Sequence, residues 1–107
     1  TLAYHDTKVD WTTDKYVAYL DADKLQFPLN VRNWLQGDHF IPLGMKGKKK
    51  VSDFMIDEKI PVTLKGTLSL FVSQEEIVWV AGHRIDDRFR IDTNTKQVLI
   101  IRMTENV

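Results

Sequence analysis

The residues with the clearest chemical potential lie in one loop, Pro42-Leu43-Gly44-Met45-Lys46-Gly47-Lys48-Lys49-Lys50. Its four lysines run directly into an apolar stretch with helical spacing, so they sit where a helix dipole disfavours cations by several tenths of a kcal/mol. A cluster of positive charge at such a place points to a partner that supplies negative charge. Backbone amides at a helix start can hold phosphate, and Gly44 and Gly47 let another backbone come close. Lysine acts on phosphate as a point charge. Nothing in the loop is built to read bases, so the expected partner is a structured RNA recognised by shape and phosphate, or another polyanion. The alternative is that the lysine run is only a solvated face.

Catalytic chemistry has little support. His5, His39 and His83 are far apart and show no metal-ligand spacing. Asp38-His39 looks like an acid–base pair on paper, but neighbouring residues in a loop or strand usually point apart. No phosphate loop, G-x-S-x-G elbow or G-x-G-x-x-G fingerprint occurs. Asp86-Asp87, between Arg84 and Arg88, reads as part of a salt-bridge network in preference to a cation site. The expectation is a chain with no catalytic residue, no metal site and no cofactor of its own.

The balance of charge limits the basic reading to one region. The chain of 107 residues carries 15 Lys and Arg against 15 Asp and Glu. Residues 1–31 hold three Lys and five Asp, a net of −2. Residues 32–65 hold seven Lys and Arg against four acids, a net of +3, and residues 66–107 have a net of −1. Positive charge is therefore a local patch in the middle third. The absence of cysteine excludes disulfides, thiolate catalysis and the common structural zinc sites, and suits a reducing cytoplasm. No apolar run approaches the roughly 20 residues of a membrane helix, and Thr1 to Asp10 lacks a signal-peptide core. A cytoplasmic protein with no membrane partner is expected.

The elements that must position the loop are mostly strands. Residues 1–15 are polar and aperiodic and read as an arm or linker remnant, leaving 16–107 as the domain. Tyr16–Leu20 and Leu29–Arg32 have β-rich or alternating patterns. Gln36–Lys50 holds two glycines and a proline before Gly47 and reads as a long structured loop. Val51–Lys59 is the best helix: Val51, Phe54 and Met55 share one face, Ser52 is placed to cap the start, and Pro61 ends it. Leu68–Val72, Ile77–Ala81, Phe89–Ile91 and Val98–Met103 complete the strands. The predicted fold class is α+β: a small, mostly antiparallel sheet with one or two helices packed on it. Trp34 and Trp79 are expected to be at least partly buried.

An ordered series of residues then resembles a known family. It comprises Leu29-Asn30-Val31-Arg32-Asn33-Trp34, Gly37-Asp38-His39-Phe40, Pro42-Leu43-Gly44-Met45, Lys49-Lys50-Val51-Ser52-Asp53-Phe54, Asp57, Lys59-Ile60-Pro61, Val78-Trp79-Val80-Ala81-Gly82 and Arg84-Ile85. Its centre, W-x₂-G-D-x-F-x-P-L-G-M-x-G-x-K-K-x-S-D-F, is long and specific. The series is similar to the C-terminal domain of bacterial tRNA(Ile)-lysidine synthetases, over about Leu20 to Ile101. The chain departs from the family pattern at His39, where Arg is usual. It also departs across Val62–Ser69, usually a basic segment ending in Pro, where Lys65 is the only cation.

The resemblance implies that the chemistry belongs to another domain of the same parent chain. There an S-G-G-x-D-S loop, absent between Thr1 and Val107, handles ATP; the wobble cytidine of the anticodon is adenylated and free lysine displaces AMP. ATP and lysine are thus substrates of the parent enzyme. For this domain the resemblance implies binding to the acceptor stem of the isoleucine tRNA; the concentration of charge at the helix start makes Lys46, Lys48, Lys49 and Lys50, with Arg32 and Arg84, the candidate phosphate contacts. The expected partners are that tRNA and the N-terminal catalytic domain, with a homodimer left open. Phenylalanyl-tRNA synthetase has a related fold in its β-subunit, by analogy only. Two other readings remain: a structural or dimerisation module without RNA contact, and a free-standing small enzyme.

Overall fold

Alternating and continuously apolar runs give strands here, and only one segment has a helical stripe long enough to pack. The computed structural model describes residues 2–4 and 15–103. In chain order the strands are β1 (Leu2–Tyr4), β2 (Val17–Asp21), β3 (Leu29–Asn33), β4 (His39–Phe40) and β5 (Lys49–Lys50), followed by helices α1 (Val51–Asp57) and α2 (Val62–Lys65). Then come β6 (Ser69–Ser73), β7 (Glu76–Val80), β8 (Arg84–Ile85) and β9 (Gln97–Arg102). Among the described residues three sheets result, with strand orders β1-β9-β2, β3-β6-β7-β8 and β4-β5. Every pairing is antiparallel. This is the expected α+β class. Of the arm expected over 1–15, Leu2–Tyr4 pairs with β9; residues 1 and 5–14 lie outside the described residues.

The four-stranded sheet is covered on both faces, which explains why β7 reads Ile-Val-Trp-Val without alternation. Leu70 pairs with Val80, Phe71 with Trp79, and Val72 with Ile77, so Val78 is an extra residue at a β-bulge. The bulge resets the pleat. Ile77 and Val80 join Phe40, Val51, Phe54, Met55, Leu70 and Val72 in the core beneath α1, with Trp34 packed against it. Val78 and Trp79 join Ala18, Leu20, Phe89 and Leu99 in a second core facing the three-stranded sheet. Trp79 is fully buried and Trp34 half-buried, as expected.

Three local expectations are corrected. Ser52 does not cap α1: Lys50 is the N-cap residue and makes no side-chain capping bond. The helix ends at Asp57, short of Lys59, in a Schellman motif. The Lys59 N–H reaches the Ile56 carbonyl, the Ile60 N–H reaches the Met55 carbonyl, and Lys59 takes the left-handed conformation at φ 56°. Phe89–Ile91 is no strand. Asp87–Phe89 forms a 3-10 turn because the Asp86 side chain accepts the Arg88 N–H and caps it. The long loop Gln36–Lys50 also contains β4 and β5, which pair His39 with Lys50 and Phe40 with Lys49.

Candidate nucleic-acid interface

The lysine loop leaves and rejoins the fold through the β4–β5 pair, and a carboxylate clamp fixes its first half. Asp86 is fully buried. Its carboxylate accepts from the Ile41 N–H at 2.9 Å, the Arg88 N–H at 2.8 Å, and Arg88 Nε and Nη2 at 3.0 and 2.9 Å. Asp87 adds a second hold: its carboxylate accepts the Gly44 N–H at 3.0 Å and its own N–H donates to the Ile41 carbonyl at 2.7 Å. The Leu43 N–H donates to the Ile85 carbonyl. Gly44, at φ 88°, turns the chain where most side chains would be strained. The salt-bridge reading of Asp86-Asp87 holds through Arg88, extended by the Arg88–Glu76 and Arg90–Asp87 pairs, while Arg84 pairs with neither acid among the described residues.

Beyond the clamp, Lys46, Lys48 and Lys50 are exposed. Among the described residues none of the three has an ion-pair partner. Lys49 differs, being half-buried and paired with Asp57 on α1. An open groove between loop and helix is lined by Met45, Lys48, Lys49, Lys50, Ile56 and two acids, Asp53 and Asp57.

The two arginines have other partners. Arg32 forms a bidentate pair with Asp38, Nη1 to Oδ2 at 2.9 Å and Nη2 to Oδ1 at 3.0 Å. Asp38 also accepts the Leu35 N–H at 2.7 Å, and its carbonyl accepts the Val51 N–H that opens α1. Arg32 thus holds the turn from which the loop departs. One amide expected to be free at the helix start is already satisfied. Burial pushes the Asp38 carboxyl up, but the Arg32 and Leu35 hydrogen bonds and the charges of Arg32 and His39 hold it below the usual carboxylate range. Arg84 places its guanidinium over the Phe54 ring at 5.8 Å, and Phe54 meets Phe40 edge-on at 5.1 Å. Lys48, Lys49 and Lys50 line one groove and Lys46 is not among its lining residues, while Arg32 is committed to Asp38 and Arg84 lies over Phe54.

Of the histidines, His5 lies outside the described residues. His39 is exposed, with Nδ1 3.2 Å from the Gly37 carbonyl, and Asp38 points away to Arg32. His83 is partly buried against Phe54, ring centroids 6.2 Å apart. Burial first, then the charge of Lys15, pulls its pKa below the ordinary histidine value against the opposing pull of Glu58. The unfolded chain, near 6.5, therefore binds the proton more readily than the fold. His83 contributes stability that is present above about pH 6.5 and lost as pH falls below it. An NMR titration should place the His83 midpoint below that of free histidine, and His83→Gln should remove part of the acid-side loss of stability. A midpoint at or above 6.5 would contradict this assignment. Among the described residues no group of three or more His, Asp or Glu is placed to hold a metal ion.

With this geometry in view, comparison with known proteins is decisive at the level of family. Residues 29–102 match the model of the TilS substrate C-terminal domain. The chain belongs to that family. Curated relatives include the tRNA(Ile)-lysidine synthase of Parabacteroides distasonis, 54% identical over 88 residues, covering 82% of this chain and 20% of the relative. That of Caldanaerobacter subterraneus is 41% identical over 96 residues, 90% of this chain and 21% of the relative. The chain thus spans about a fifth of the length of these relatives. Its fold is that of a crystal structure described as the TILS C-terminal domain, with a TM-score of 0.78 at 20% identity over 97% of this chain and 82% of the other. A fragment of the phenylalanyl-tRNA synthetase β-subunit from Pyrococcus horikoshii shares the fold at a TM-score of 0.63 and 19% identity, over 78% of this chain and 26% of that one.

The sequence reading did not find the partners that commit Arg32 and Lys49. It also missed the cluster of Lys15, Tyr16, Lys59 and His83 at the other end of α1. The positive φ at Lys59 has no sequence signal, because Lys is an ordinary surface residue.

Proposed function

We propose that this chain is the tRNA-binding C-terminal part of a tRNA(Ile)-lysidine synthase and that it holds the acceptor stem of the isoleucine tRNA. The parent enzyme, a cytoplasmic ligase, uses ATP in its N-terminal domain to join lysine to the wobble cytidine, and this part contributes no catalytic group. The observation that carries the reading is a clamped loop presenting Lys46, Lys48 and Lys50 exposed and, among the described residues, in no ion pair. A hydrogen-bonded base under three exposed cations suits phosphate contact, which fixes register on a duplex without reading sequence.

The test is direct. An acceptor-stem minihelix should bind with a linear loss of log affinity against log salt, and the anticodon stem-loop should bind far more weakly. Equal binding of both RNAs, or none, would remove the acceptor-stem assignment. The competing reading, a docking module for the rest of the parent, draws support from α2, where Val62 is 81% and Leu64 54% exposed. It expects neither RNA to bind.

A further inference from the structure

A second concave site lies at the far end of α1 from the lysine loop. It has a volume of about 390 Å³ and its walls include Lys15, Tyr16, Lys59, Pro61, Leu64 and His83, with Glu58 as the acid among the described lining residues. Its composition is mixed in a specific way. Tyr16 is half-exposed, and its ring lies against the β7–β8 turn: a Cβ on Gly82, whose φ is 80°, would meet Tyr16 Cε1 at 3.4 Å. The His83 ring is steadied by Phe54, and Lys15 Nζ sits 5.5 Å from the centre of the Tyr16 ring.

Lys59 adds an independent sign. It occupies the left-handed position of the Schellman motif, where glycine is the relaxed choice and any other residue is strained. Strain kept at the rim of a cavity is consistent with a side chain that the cavity uses. A purely apolar ligand has no need of two lysines, and a bare anion has no need of aromatic and proline walls. Single-stranded nucleic acid needs both, since bases stack on rings while cations follow the backbone.

We propose that this cleft receives an unpaired nucleotide of the tRNA, its base against Tyr16 and His83 and its phosphate between Lys15 and Lys59. The inference rests on the acceptor-stem reading and extends it. The seven residues of α1 span about 10 Å, roughly three nucleotide steps. A strand leaving a stem held at Lys46–Lys50 can therefore reach the cleft through its single-stranded 3′ end.

Two RNAs test this with the chain as it is: a blunt acceptor-stem minihelix, and the same stem with four unpaired 3′ nucleotides. The extension should tighten binding about tenfold, the scale of one stacked base. Tyr16→Ala and Lys59→Gly should each remove most of that gain and leave the blunt stem unaffected, while Tyr16→Trp keeps it. Lys59→Gly should also raise Tm by about 4 °C or more, because it relaxes the backbone. A more stable protein that loses only the overhang gain is not what a structural role for Lys59 produces. If the blunt stem binds but the extension adds nothing, or the gain survives both substitutions, the proposal is overturned. If only the extended RNA binds, the cleft stands and the lysine-loop reading falls. If neither binds, both fall.

Discussion

Asp86→Ala should cost about 3 kcal/mol of folding stability, because it removes charge-assisted hydrogen bonds and strands a buried backbone donor. The carboxylate is fully buried and accepts four hydrogen bonds, so its loss strands the Ile41 N–H and leaves Arg88 with Glu76 as its remaining ion-pair partner among the described residues. Against a total stability of about 5–15 kcal/mol this is a large fraction, and Tm should fall by more than about 10 °C. Asp87→Ala is the control. Its carboxylate is 24% exposed, and both the bond it accepts from the Gly44 N–H and its ion pair with Arg90 lie at the surface, so a loss of about 1 kcal/mol is expected. Urea unfolding of the two variants beside the parent makes the comparison. Equal losses would show that burial of Asp86 is not what anchors the loop. Because the Asp86 clamp ends where the lysine tip begins, Asp86→Asn, which keeps volume and an acceptor, should lose less stability.

Changing Lys46, Lys48 and Lys50 together to Ala should lower affinity for the acceptor stem on the order of a hundredfold at 0.1 M salt. Each phosphate contact contributes roughly 0.7–0.9 to the log–log salt slope, so three contacts flatten it by about two to three units. Stability should stay within about 0.5 kcal/mol, since the three side chains are exposed and unpaired among the described residues. Lys49→Ala should behave differently. Its ammonium already faces Asp57, so the substitution should change the slope least of the four. Fluorescence anisotropy with labelled minihelix at five or six salt concentrations separates these outcomes. An unchanged slope in the triple variant would return the loop to the status of a solvated face.

The strands and the apolar face of α1 were legible because their cause is local. Val51, Phe54 and Met55 recur at helical spacing, and the pattern of Gln97–Arg102 fits a strand whichever neighbour it meets. The loop was legible in composition but not in commitment. Arg32 and Lys49 look like their neighbours in sequence, and only the turn at Gly37 and the approach of α1 deliver Asp38 and Asp57 to them. Asp86 reads as a surface acid, since buried carboxylates are rare and their partners lie across the fold. The Asp87–Phe89 turn was hidden by the β-rich run Phe89-Arg90-Ile91, and the cap that overrides it is one side chain.

Strand β9 lies between β1 and β2, with Leu99 opposite both Leu2 and Leu20. The centre of the three-stranded sheet therefore comes from one extreme of the described chain and its flanks from the other. The β6–β7 hairpin can form as soon as it is made, but β1 and β2 have no shared neighbour until residues 97–102 arrive. Closing so long a loop is entropically costly, and topologies dominated by such distant pairings fold in milliseconds to seconds. A chain stopped before Gln97 would present β2 as an open edge beside the uncovered Ala18 and Leu20, an invitation to pair with other chains. Arrival of residues 97–102 and closure of the second core are, for this architecture, the same event.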